Sequence, residues 1–420
     1  MHYTADLHTH SHYAEGTSPS LNLESLYQWA IVKGINILGT GDLTHPLWIK
    51  ELQEKLSPCD NGLFLLKNPP KETALPRLTP KYTDVHFCLS GEINCEYVSG
   101  GRRRRVHHLI YSPSFEVALQ INKRLSVYGN LLEDGRPTIH LSSRNLLEIL
   151  LEISPDAYLI PAHVWTPWVS MLGSDCGYNS VEECFQDLSD FIFALETGLS
   201  TDPAMNRRCS KLDRYTMISN SDAHSLTNLG REANLFQAPF SYYDMFDALK
   251  TSTGFAGTFE YFPEAGKYSY DGHRQCKISL SVAETRLYKN RCPSCGKALT
   301  IGAFNRVEQL ADRTTATCIN DSCKYIVPLL QLLAEIYNAL PSGKRIQQAY
   351  IKVINVFGNE FDLLHSTPLA DIQSYDRKLA KAIECMRNKM IDVTPGYDGV
   401  YGRFNFSIED KSLLTQLSMF

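Results

Sequence analysis

The hydrophobic pattern of the first 255 residues alternates short apolar runs with stretches of helical spacing. Leu23 to Lys33 places its apolar residues on one helical face and ends at Gly34, a helix-stop signal, and residues 35–39 form an apolar run typical of a strand. The same rhythm continues through further predicted strands at 87–89, 106–111, 158–160, 192–195 and 216–219. This repeat predicts a parallel α/β barrel, in which functional residues gather at the C-terminal ends of the strands.

The pattern is interrupted once within this region and changes twice after it. Four prolines between Lys67 and Tyr82 predict an excursion from the barrel, as an exposed loop or a lid. Cysteines and turn residues then concentrate up to about Cys323, and apolar residues return at helical spacing after Pro328. We therefore expect three parts, a barrel at 1–255, a small cysteine-rich module at 256–325 and a helical C-terminal domain at 326–420.

Composition narrows the class of protein. Of the 420 residues, 43% are hydrophobic and 21% charged, as in ordinary globular proteins. The chain contains no apolar run long enough to span a membrane, and its N-terminus lacks the pattern of a signal peptide. We expect a cytoplasmic protein that binds no membrane and whose twelve cysteines are reduced or bind metal.

The formal net charge of −5 provides no global attraction to a polyanion, which would need a local basic patch. The run from Arg102 to Arg105 is one candidate. A solvated charged hairpin is the alternative for such a run. Its position directly before His107 and His108 keeps the two interpretations balanced.

Histidines and carboxylates cluster at the predicted strand ends. His8 and His10 lie two residues apart, as do Asp222 and His224, so each pair projects from one side of a strand. Imidazole and carboxylate groups hold catalytic divalent metals. Further candidate ligands are Asp42, Glu92, His163 and one of the adjacent residues His107 and His108, which face opposite ways in a strand.

For each of these residues alone, a hydrogen-bonded histidine or a helix N-cap is the alternative. Two ligand pairs together with a strand-end histidine indicate a shared metal site. Such a site is typical of hydrolases, because divalent ions lower the pKa of water and stabilise charge on phosphoester oxygens. The spacing alone also allows an amidohydrolase that acts on a carbon centre.

These residues resemble the motifs of the polymerase-and-histidinol-phosphatase (PHP) superfamily. Its opening His-x-His-Ser matches residues 8–11, and its closing Asp-x-His matches residues 222–224. The resemblance implies a distorted (β/α)7 barrel with a trinuclear metal site. Its intermediate ligands would be Glu92, His163 and one of His107 and His108. The chain departs from the motifs at Asp42, which stands where the superfamily has a histidine, and in lacking an early acidic ligand unless Glu15 serves.

Within that superfamily the chain is most similar to the endonuclease Q family, over most of its length. The matching segments are residues 5–11, 39–42, 160–168, 196–200, 271–274, 292–297 and 395–402. The resemblance implies a DNA repair endonuclease that cuts 5′ of a deaminated base (uracil, hypoxanthine or xanthine) or of an abasic site. DNA containing damaged bases would be its partner, with a sliding clamp or other repair proteins as further candidates.

Candidate roles follow for several residues. Asp222 and Glu196 are the candidate catalytic carboxylates, and Glu196 would serve as a further ligand or position the water. Two or three active-site ions are expected, as zinc, manganese or magnesium. Inspection of a base requires rotating it out of the stack into an aromatic or apolar pocket. The candidates for base or DNA contact are Trp165, Trp168, Tyr178, Arg103 and Arg104, and the three aromatic residues could equally be core at the barrel rim.

A structural zinc site is predicted in the cysteine-rich module. Its two short-spaced ligand pairs are His273 with Cys276 and Cys292 with Cys295. This arrangement is typical of a closed tetrahedral zinc site. Cys318 and Cys323 offer an alternative, because they could replace the first pair or bind a second ion.

Two other functions are compatible with these features. A PHP phosphoesterase acting on small phosphorylated metabolites or nucleotides would use the same metals, but it leaves the zinc-binding module without a task. A non-catalytic DNA-damage-binding protein is favoured only by Asp42 in place of a histidine.

Overall fold

The computed structural model describes residues 2–70, 84–316 and 322–406. Its strands are β1 (His2–Asp6), β2 (Ile37–Gly39), β3 (Leu56–Pro58), β4 (Phe64–Leu66), β5 (His86–Ser99), β6 (Arg102–Ser112), β7 (Thr138–Ile139), β8 (Tyr158–Pro161), β9 (Ala194–Glu196), β10 (Thr216–Ile218), β11 (Ala233–Gln237), β12 (Phe255–Tyr261), β13 (Asp271–His273), β14 (Ile278–Leu280), β15 (Cys323–Ile326), β16 (Asp392–Thr394) and β17 (Arg403–Asn405). Its α-helices are α1 (Leu23–Lys33), α2 (Pro46–Lys55), α3 (Phe115–Leu125), α4 (Ser143–Ile153), α5 (Val181–Phe185), α6 (Pro203–Asn206), α7 (Tyr242–Thr251), α8 (Val282–Leu287), α9 (Ala303–Leu310), α10 (Leu329–Ile336), α11 (Lys344–Phe357), α12 (Leu369–Tyr375) and α13 (Arg377–Arg387).

A mixed sheet forms the centre of the molecule. β1, β2 and β5 run parallel to one another, whereas β6 is antiparallel to both β5 and β8, and β11 is antiparallel to both β1 and β12. β9 and β10 form a separate parallel pair. The expectation of an all-parallel arrangement is therefore wrong for β6 and its neighbours.

A tight turn explains the antiparallel direction of β6. Gly100 and Gly101, with φ of +60° and +72°, join β5 to β6 so that Ser99 pairs with Arg102. Two residues with positive φ form the preferred hairpin turn, and glycine adopts this conformation without steric cost. The arginine run thus begins a strand, in which alternate side chains point to opposite faces.

Backbone hydrogen bonds connect the ends of strands that do not pair along their length. The amide of Val164, after β8, donates to the carbonyl of Glu196 in β9 at 2.9 Å. Thr9, after β1, pairs with Ala223, after β10. These contacts bring the C-terminal ends of several strands around one point.

The helix predicted from Leu23 to Lys33 is confirmed as α1. The Asn22 side chain accepts a hydrogen bond from the amide of Ser25, and Gly34 ends the helix in the left-handed conformation with φ of +88°. Such caps satisfy backbone groups that the helix itself leaves unpaired.

The C-terminal helices pack against α1. The Lys33 ammonium lies 2.8 Å from Glu360 Oε2 in a fully buried ion pair, and the Tyr350 hydroxyl donates to the same carboxylate at 2.8 Å. The Tyr350 and Trp29 rings also stack, with centroids 6.1 Å apart. A buried charge is costly unless an opposite charge pairs with it, which Glu360 provides for Lys33.

The chain between the central strands and these helices extends the main sheet. β12 pairs with β11, and β15 pairs in parallel with β12, so the main sheet continues as far as Ile326. β13 and β14 form a separate hairpin. No helix in the described part of the chain combines enough length with enough apolar composition to span a membrane.

Two predicted features fall largely outside this description. Of the prolines between Lys67 and Tyr82, Pro76 and Pro80 lie outside the described residues, as does Cys318. The cysteines that are described are free thiols.

Candidate metal centre

Two groups of potential ligands meet where the segments after β1, β8 and β10 approach the middle of β5 and β6. The first consists of His8, His10, Glu92 and Asp222, and the second of Glu92, His107 and His163. Within each group the ligand atoms all lie within 4.8 Å of one another. Residues within β5 and β6 and from the segments after β1, β8 and β10 thus form candidate metal-binding clusters.

Glu92 belongs to both groups. Its Oε1 lies 2.6 Å from His107 Nδ1 and 3.0 Å from His163 Nε2. Its Oε2 lies 3.5 Å from His8 Nε2 and 3.4 Å from His10 Nε2. A carboxylate with one oxygen facing each group can bridge two cations, the arrangement of centres with two ions about 3.5–4 Å apart.

Asp222 is the fourth member of the first group and contacts both of its histidines. Its Oδ1 lies 3.1 Å from His10 Nε2 and 3.5 Å from His8 Nε2. His224 stands beside it, with Nδ1 3.6 Å from the same oxygen and its ring 4.6 Å from the ring of His10. His224 is adjacent to the first group without being part of it.

Asp42 lies behind His10 instead of among the ligands, which differs from the prediction. Its Oδ1 is 3.0 Å from His10 Nδ1, and its Oδ2 accepts hydrogen bonds from the amide and the hydroxyl of Ser11, both at 2.6 Å. The side chain is fully buried. These contacts occupy the carboxylate and orient His10, a role that carboxylates commonly have behind metal-binding histidines.

Glu196 has the same relation to His8. Its Oε1 is 3.1 Å from His8 Nδ1 and accepts from the Asn220 amide at 2.8 Å, and its Oε2 accepts from the backbone amide of His163 at 2.7 Å. The predicted roles as a further ligand or as the residue that positions water do not match this arrangement. Glu196 orients His8 and holds the backbone of His163.

His107 and His108 face opposite sides of β6. His107 points to Glu92, whereas His108 Nε2 is 2.8 Å from the Ser143 hydroxyl and its ring packs against Phe185. Burial lowers the pKa of His107 to about 4 and that of His108 to about 3, so both are neutral at pH 7. Of these two neutral rings, the one that points to the candidate ligands is that of His107.

The electrostatics of the first group favour a cation. Burial lowers the pKa of His8, but Glu196 and Asp222 raise it well above its usual value. Burial raises the pKa of Glu92, but His107 and Arg136 lower it well below its usual range. His8 Nε2 is buried without a hydrogen-bond partner in the described structure. Ionised carboxylates around an unsatisfied imidazole nitrogen fit a divalent metal ion.

A cavity of about 340 Å³ opens beside the second group. Trp165 and Trp168, two of the candidates for base contact, line it together with Tyr268. Trp165 is almost fully buried and donates its indole N–H to Asn206 at 2.8 Å. Trp168 is half-buried and meets the Tyr268 ring edge-on, with centroids 5.1 Å apart.

Tyr178 and Arg104 lie in the protein core, which is the alternative that the sequence left open for Tyr178 and differs from the predicted DNA contact of Arg104. The Arg104 guanidinium covers the Tyr178 ring at 4.0 Å and donates to the backbone carbonyls of Cys176 and Gly177. Arg103 is exposed and donates to Glu96 Oε1 from Nε at 2.9 Å. Alternation along β6 explains the difference, because adjacent side chains point to opposite faces.

Three residues that the sequence motifs did not indicate also line the cavity: Arg136, Asn220 and Lys267. Arg136 Nη1 lies 3.4 Å from Glu92 Oε2, and Asn220 also accepts a hydrogen bond from the amide of Leu7 at 2.8 Å. Arg136 precedes a short strand and Lys267 follows a short 3₁₀ helix, so neither position carries a periodic signal.

The predicted zinc ligands converge. The ligand atoms of His273, Cys276, Cys292 and Cys295 lie within 4.8 Å of one another. The amide of Gly296 donates to the carbonyl of Cys292 at 2.8 Å, which forms a tight turn around the second cysteine pair. Four sulfur and nitrogen donors at this separation fit a tetrahedral zinc ion. Cys323 lies instead in β15, paired with Thr258.

Comparison with known proteins gives one match to the C-terminal helices and others to a larger share of the chain. The family model of the MJ0043 C-terminal domain matches residues 328–390. The uncharacterized protein YqxK of Bacillus subtilis is 28% identical over 383 residues, which are 88% of this chain and 89% of that protein. The uncharacterized protein MJ0043 of Methanocaldococcus jannaschii is 26% identical over 269 residues, or 61% of this chain. The match spans only 34% of the length of MJ0043.

Two solved structures resemble the whole chain. The lesion-specific endonuclease PfuEndoQ from Pyrococcus furiosus has a TM-score of 0.83 and 28% sequence identity, with 97% of this chain and 96% of that chain covered. A complex of endonuclease Q with a 27-mer duplex substrate that has an abasic lesion at the active site has a TM-score of 0.85 and 28% identity, with 98% and 100% covered. Over almost its full length the chain resembles endonuclease Q. The likeness to endonuclease Q thus extends over the central sheet and the C-terminal helices together, and the resemblance expected from the sequence motifs is confirmed.

Proposed function

We propose that this chain is a DNA repair endonuclease that hydrolyses the phosphodiester bond 5′ of a deaminated base or of an abasic site. The observation that carries the proposal is a candidate metal cluster at the edge of a cavity, in a chain that resembles a lesion-bound endonuclease Q over almost its full length. The substrate of that complex has an abasic lesion. Uracil, hypoxanthine and xanthine are proposed from the sequence resemblance.

The proposed centre holds two or three divalent cations. His8, His10, Glu92 and Asp222 would hold one, and Glu92 would share a second with His107 and His163. His224 is close enough to contribute to the first group or to a third ion. The four zinc ligands of the cysteine-rich module would hold a separate structural zinc.

The strand arrangement supports a PHP-type barrel. β1, β2, β5, β6, β8, β9 and β10 follow one another through strand pairing or through the hydrogen bonds at their ends. Seven strands in this order correspond to the proposed (β/α)7 barrel. The proposed division remains a barrel at 1–255, a zinc-binding module at 256–325 and a helical domain at 326–420.

The residues around the cavity would bind and orient the substrate. When bound, divalent cations would lower the pKa of water and stabilise charge on the phosphoester oxygens. Arg136, beside Glu92 and on the cavity wall, is placed to donate to a phosphate oxygen. Trp168 and Tyr268 offer aromatic surface to replace the stacking that a nucleotide loses when it leaves the duplex. Asp42 and Glu196 would keep His10 and His8 in the orientation that binding requires.

Cleavage of defined duplexes tests this proposal. End-labelled duplexes with one deoxyuridine, one deoxyinosine, one abasic site or no lesion are incubated with Mg²⁺, with Mn²⁺ or with chelator. We expect a metal-dependent cut 5′ of the lesion and none in the undamaged duplex. Asp222→Asn is expected to abolish the cut while DNA binding is kept, and His140→Gln, which changes an exposed histidine, serves as the matched control.

The same preparation separates the alternatives. If metal-loaded protein cuts no duplex but releases phosphate from small phosphoesters, the chain is a phosphoesterase that acts on phosphorylated metabolites or nucleotides. If it binds lesion duplexes without any hydrolysis, it is a DNA-damage-binding protein. Either result would overturn the proposed endonuclease.

A further inference from the structure

The turn formed by residues 395–402 contacts three separate parts of the molecule. Its first attachment is to the zinc-binding module, through Asp398. The Asp398 carboxylate accepts hydrogen bonds from the amide of Arg274 at 2.6 Å and from the hydroxyl of Thr300 at 2.7 Å. Arg274 directly follows His273, one of the proposed zinc ligands. The position of the turn therefore depends on the zinc-binding module.

The second attachment is to the wall of the cavity. The amide of Gly399 donates to the carbonyl of Lys267 at 2.8 Å, and the amide of Tyr270 donates to the carbonyl of Gly396 at 3.0 Å. Lys267 and the following Tyr268 both line the cavity beside the metal centre. The turn thus holds this stretch of the wall by its backbone on both sides.

The third attachment reaches the loop that carries Asp222. The nearly buried Arg231 donates from Nη1 to the Tyr401 hydroxyl at 3.0 Å. The same guanidinium donates to the carbonyl of Ser221 at 2.7 Å and to the carbonyl of Asp222 at 3.2 Å. Arg231 therefore links the turn to the backbone on which a proposed metal ligand stands.

Asp222 needs such support, because its backbone φ is +46°. The left-handed region costs most residues other than glycine about 1–2 kcal/mol, and although aspartate tolerates it better than most, hydrogen bonds to the backbone help to hold it there. A guanidinium that donates to two consecutive carbonyls provides that restraint, and its planar group makes the geometry specific.

We infer that Arg231 and Tyr401 are a positioning pair for Asp222, and that the turn at 395–402 transmits the placement of the zinc-binding module to the metal centre. Arg231 acts through the backbone that carries Asp222, because its guanidinium donates to the carbonyls of Ser221 and Asp222 and to the Tyr401 hydroxyl. The inference rests on the proposed function only for its effect on cleavage. Its effect on metal binding can be measured without DNA.

The test compares Mn²⁺ affinity among variants of the full chain that retain their structural zinc. Tyr401→Phe removes one hydroxyl and keeps the ring, and Arg231→Lys removes the planar donor set. We expect Mn²⁺ binding about 10-fold weaker or more in Arg231→Lys, the scale typical when a residue that supports a metal ligand is replaced, and a smaller loss in Tyr401→Phe. Tyr288→Phe, which changes an exposed tyrosine, is the matched control.

A double-variant cycle tests the transmission. Asp398→Asn detaches the turn from the zinc-binding module, and we expect it to weaken Mn²⁺ binding in the same direction as Tyr401→Phe. If both act through one turn, the double variant will lose less affinity than the product of the two single effects. Electron paramagnetic resonance of free Mn²⁺ measures the affinity, and metal analysis confirms that zinc is retained.

Unchanged Mn²⁺ affinity in both Tyr401→Phe and Arg231→Lys would overturn the positioning role, even if thermal stability fell. Equal loss in the Tyr288→Phe control would also overturn it. Multiplicative effects in the double variant would overturn the transmission through the turn. If wild-type protein cut no lesion duplex while these variants still shifted Mn²⁺ affinity, the proposed function would fail and the positioning pair would stand.

Discussion

Replacement of Asp42 by asparagine distinguishes a residue that orients a metal ligand from one that binds the metal. The fully buried Asp42 carboxylate pairs with His10 Nδ1 at 3.0 Å and with the amide and hydroxyl of Ser11 at 2.6 Å. Asparagine has one oxygen and one amide group in the same space, so its amide must face at least one of these donors. Leaving a buried hydrogen-bonding group unpaired costs about 1–3 kcal/mol.

This cost lowers metal affinity to the extent that it turns His10 away from the orientation that binding requires, because metal binding must then reverse that change. Because about 1.4 kcal/mol corresponds to a tenfold change in an equilibrium constant, the Asp42→Asn variant is expected to bind Mn²⁺ about 10- to 100-fold more weakly. The number of ions bound at saturating Mn²⁺ is expected to stay the same, since Asp42 lies outside both ligand groups.

Isothermal titration with Mn²⁺ measures both quantities. Glu92→Gln is the positive comparison, because it alters the carboxylate shared by the two ligand groups and should lower the number of ions bound. Asp60→Asn, which changes an exposed carboxylate, is the control. Binding of one ion fewer by Asp42→Asn would refute the reasoning and make Asp42 a ligand, and wild-type affinity would refute its orienting role.

Three further predictions separate residues that the sequence could not tell apart. His107→Asn is expected to remove one bound Mn²⁺. His108→Asn should keep the ion count and lower the free energy of unfolding by about 1–3 kcal/mol, because the Ser143 hydroxyl loses its buried partner. Ion counting and urea unfolding check both expectations, and the reverse pattern would contradict them. Arg103→Ala should lower the salt dependence of DNA binding by about one unit of slope if the exposed guanidinium contacts a phosphate, whereas Arg104→Ala should instead lower the melting temperature, because it removes a buried guanidinium from the Tyr178 ring. Fluorescence anisotropy across salt concentrations and thermal unfolding measure the two effects, and equal salt slopes for wild type and Arg103→Ala would exclude the contact. Cys276→Ser should abolish zinc binding in the module and expose it to limited proteolysis, because short cysteine-rich segments depend on the ion for folding; full zinc content by metal analysis would contradict the assigned ligand set.

Features encoded by neighbouring residues could be predicted from the sequence. The bounds of α1 were accessible because its cap and its terminal glycine flank the apolar face directly. The opposite orientation of His107 and His108 follows from the alternation of a strand. The sequence could not decide which of these two histidines points to the ligand groups. Both faces of β6 are buried in this stretch, so the pattern of polar and apolar residues does not distinguish them.

The sequence pattern predicts a parallel direction for β6, whereas β6 runs antiparallel to β5 and β8. The Gly100-Gly101 pair is a recognised hairpin signal, but the apolar runs around it also fit the repeat of a parallel barrel. Because β6 extends back to Arg102, Arg103 and Arg105 share an exposed face, and Arg104 on the other face is the buried member of the run. That placement explains why Arg104 is buried while Arg103 is exposed.

The sequence by itself determined which side chains were available to bind metal and which of them share a strand face, because residue type and the two-residue period of a strand are local properties. It therefore indicated the candidate pairs at His8 and Asp222, Glu92 as a further candidate ligand, and the two proposed zinc ligand pairs. Only the tertiary structure decided that Asp42 and Glu196 stand behind histidines instead of within the two ligand groups. Their distances to His10 and His8 depend on how strands remote in sequence pack together, and differences of a few ångströms at that level leave no trace in the spacing of residues along the chain.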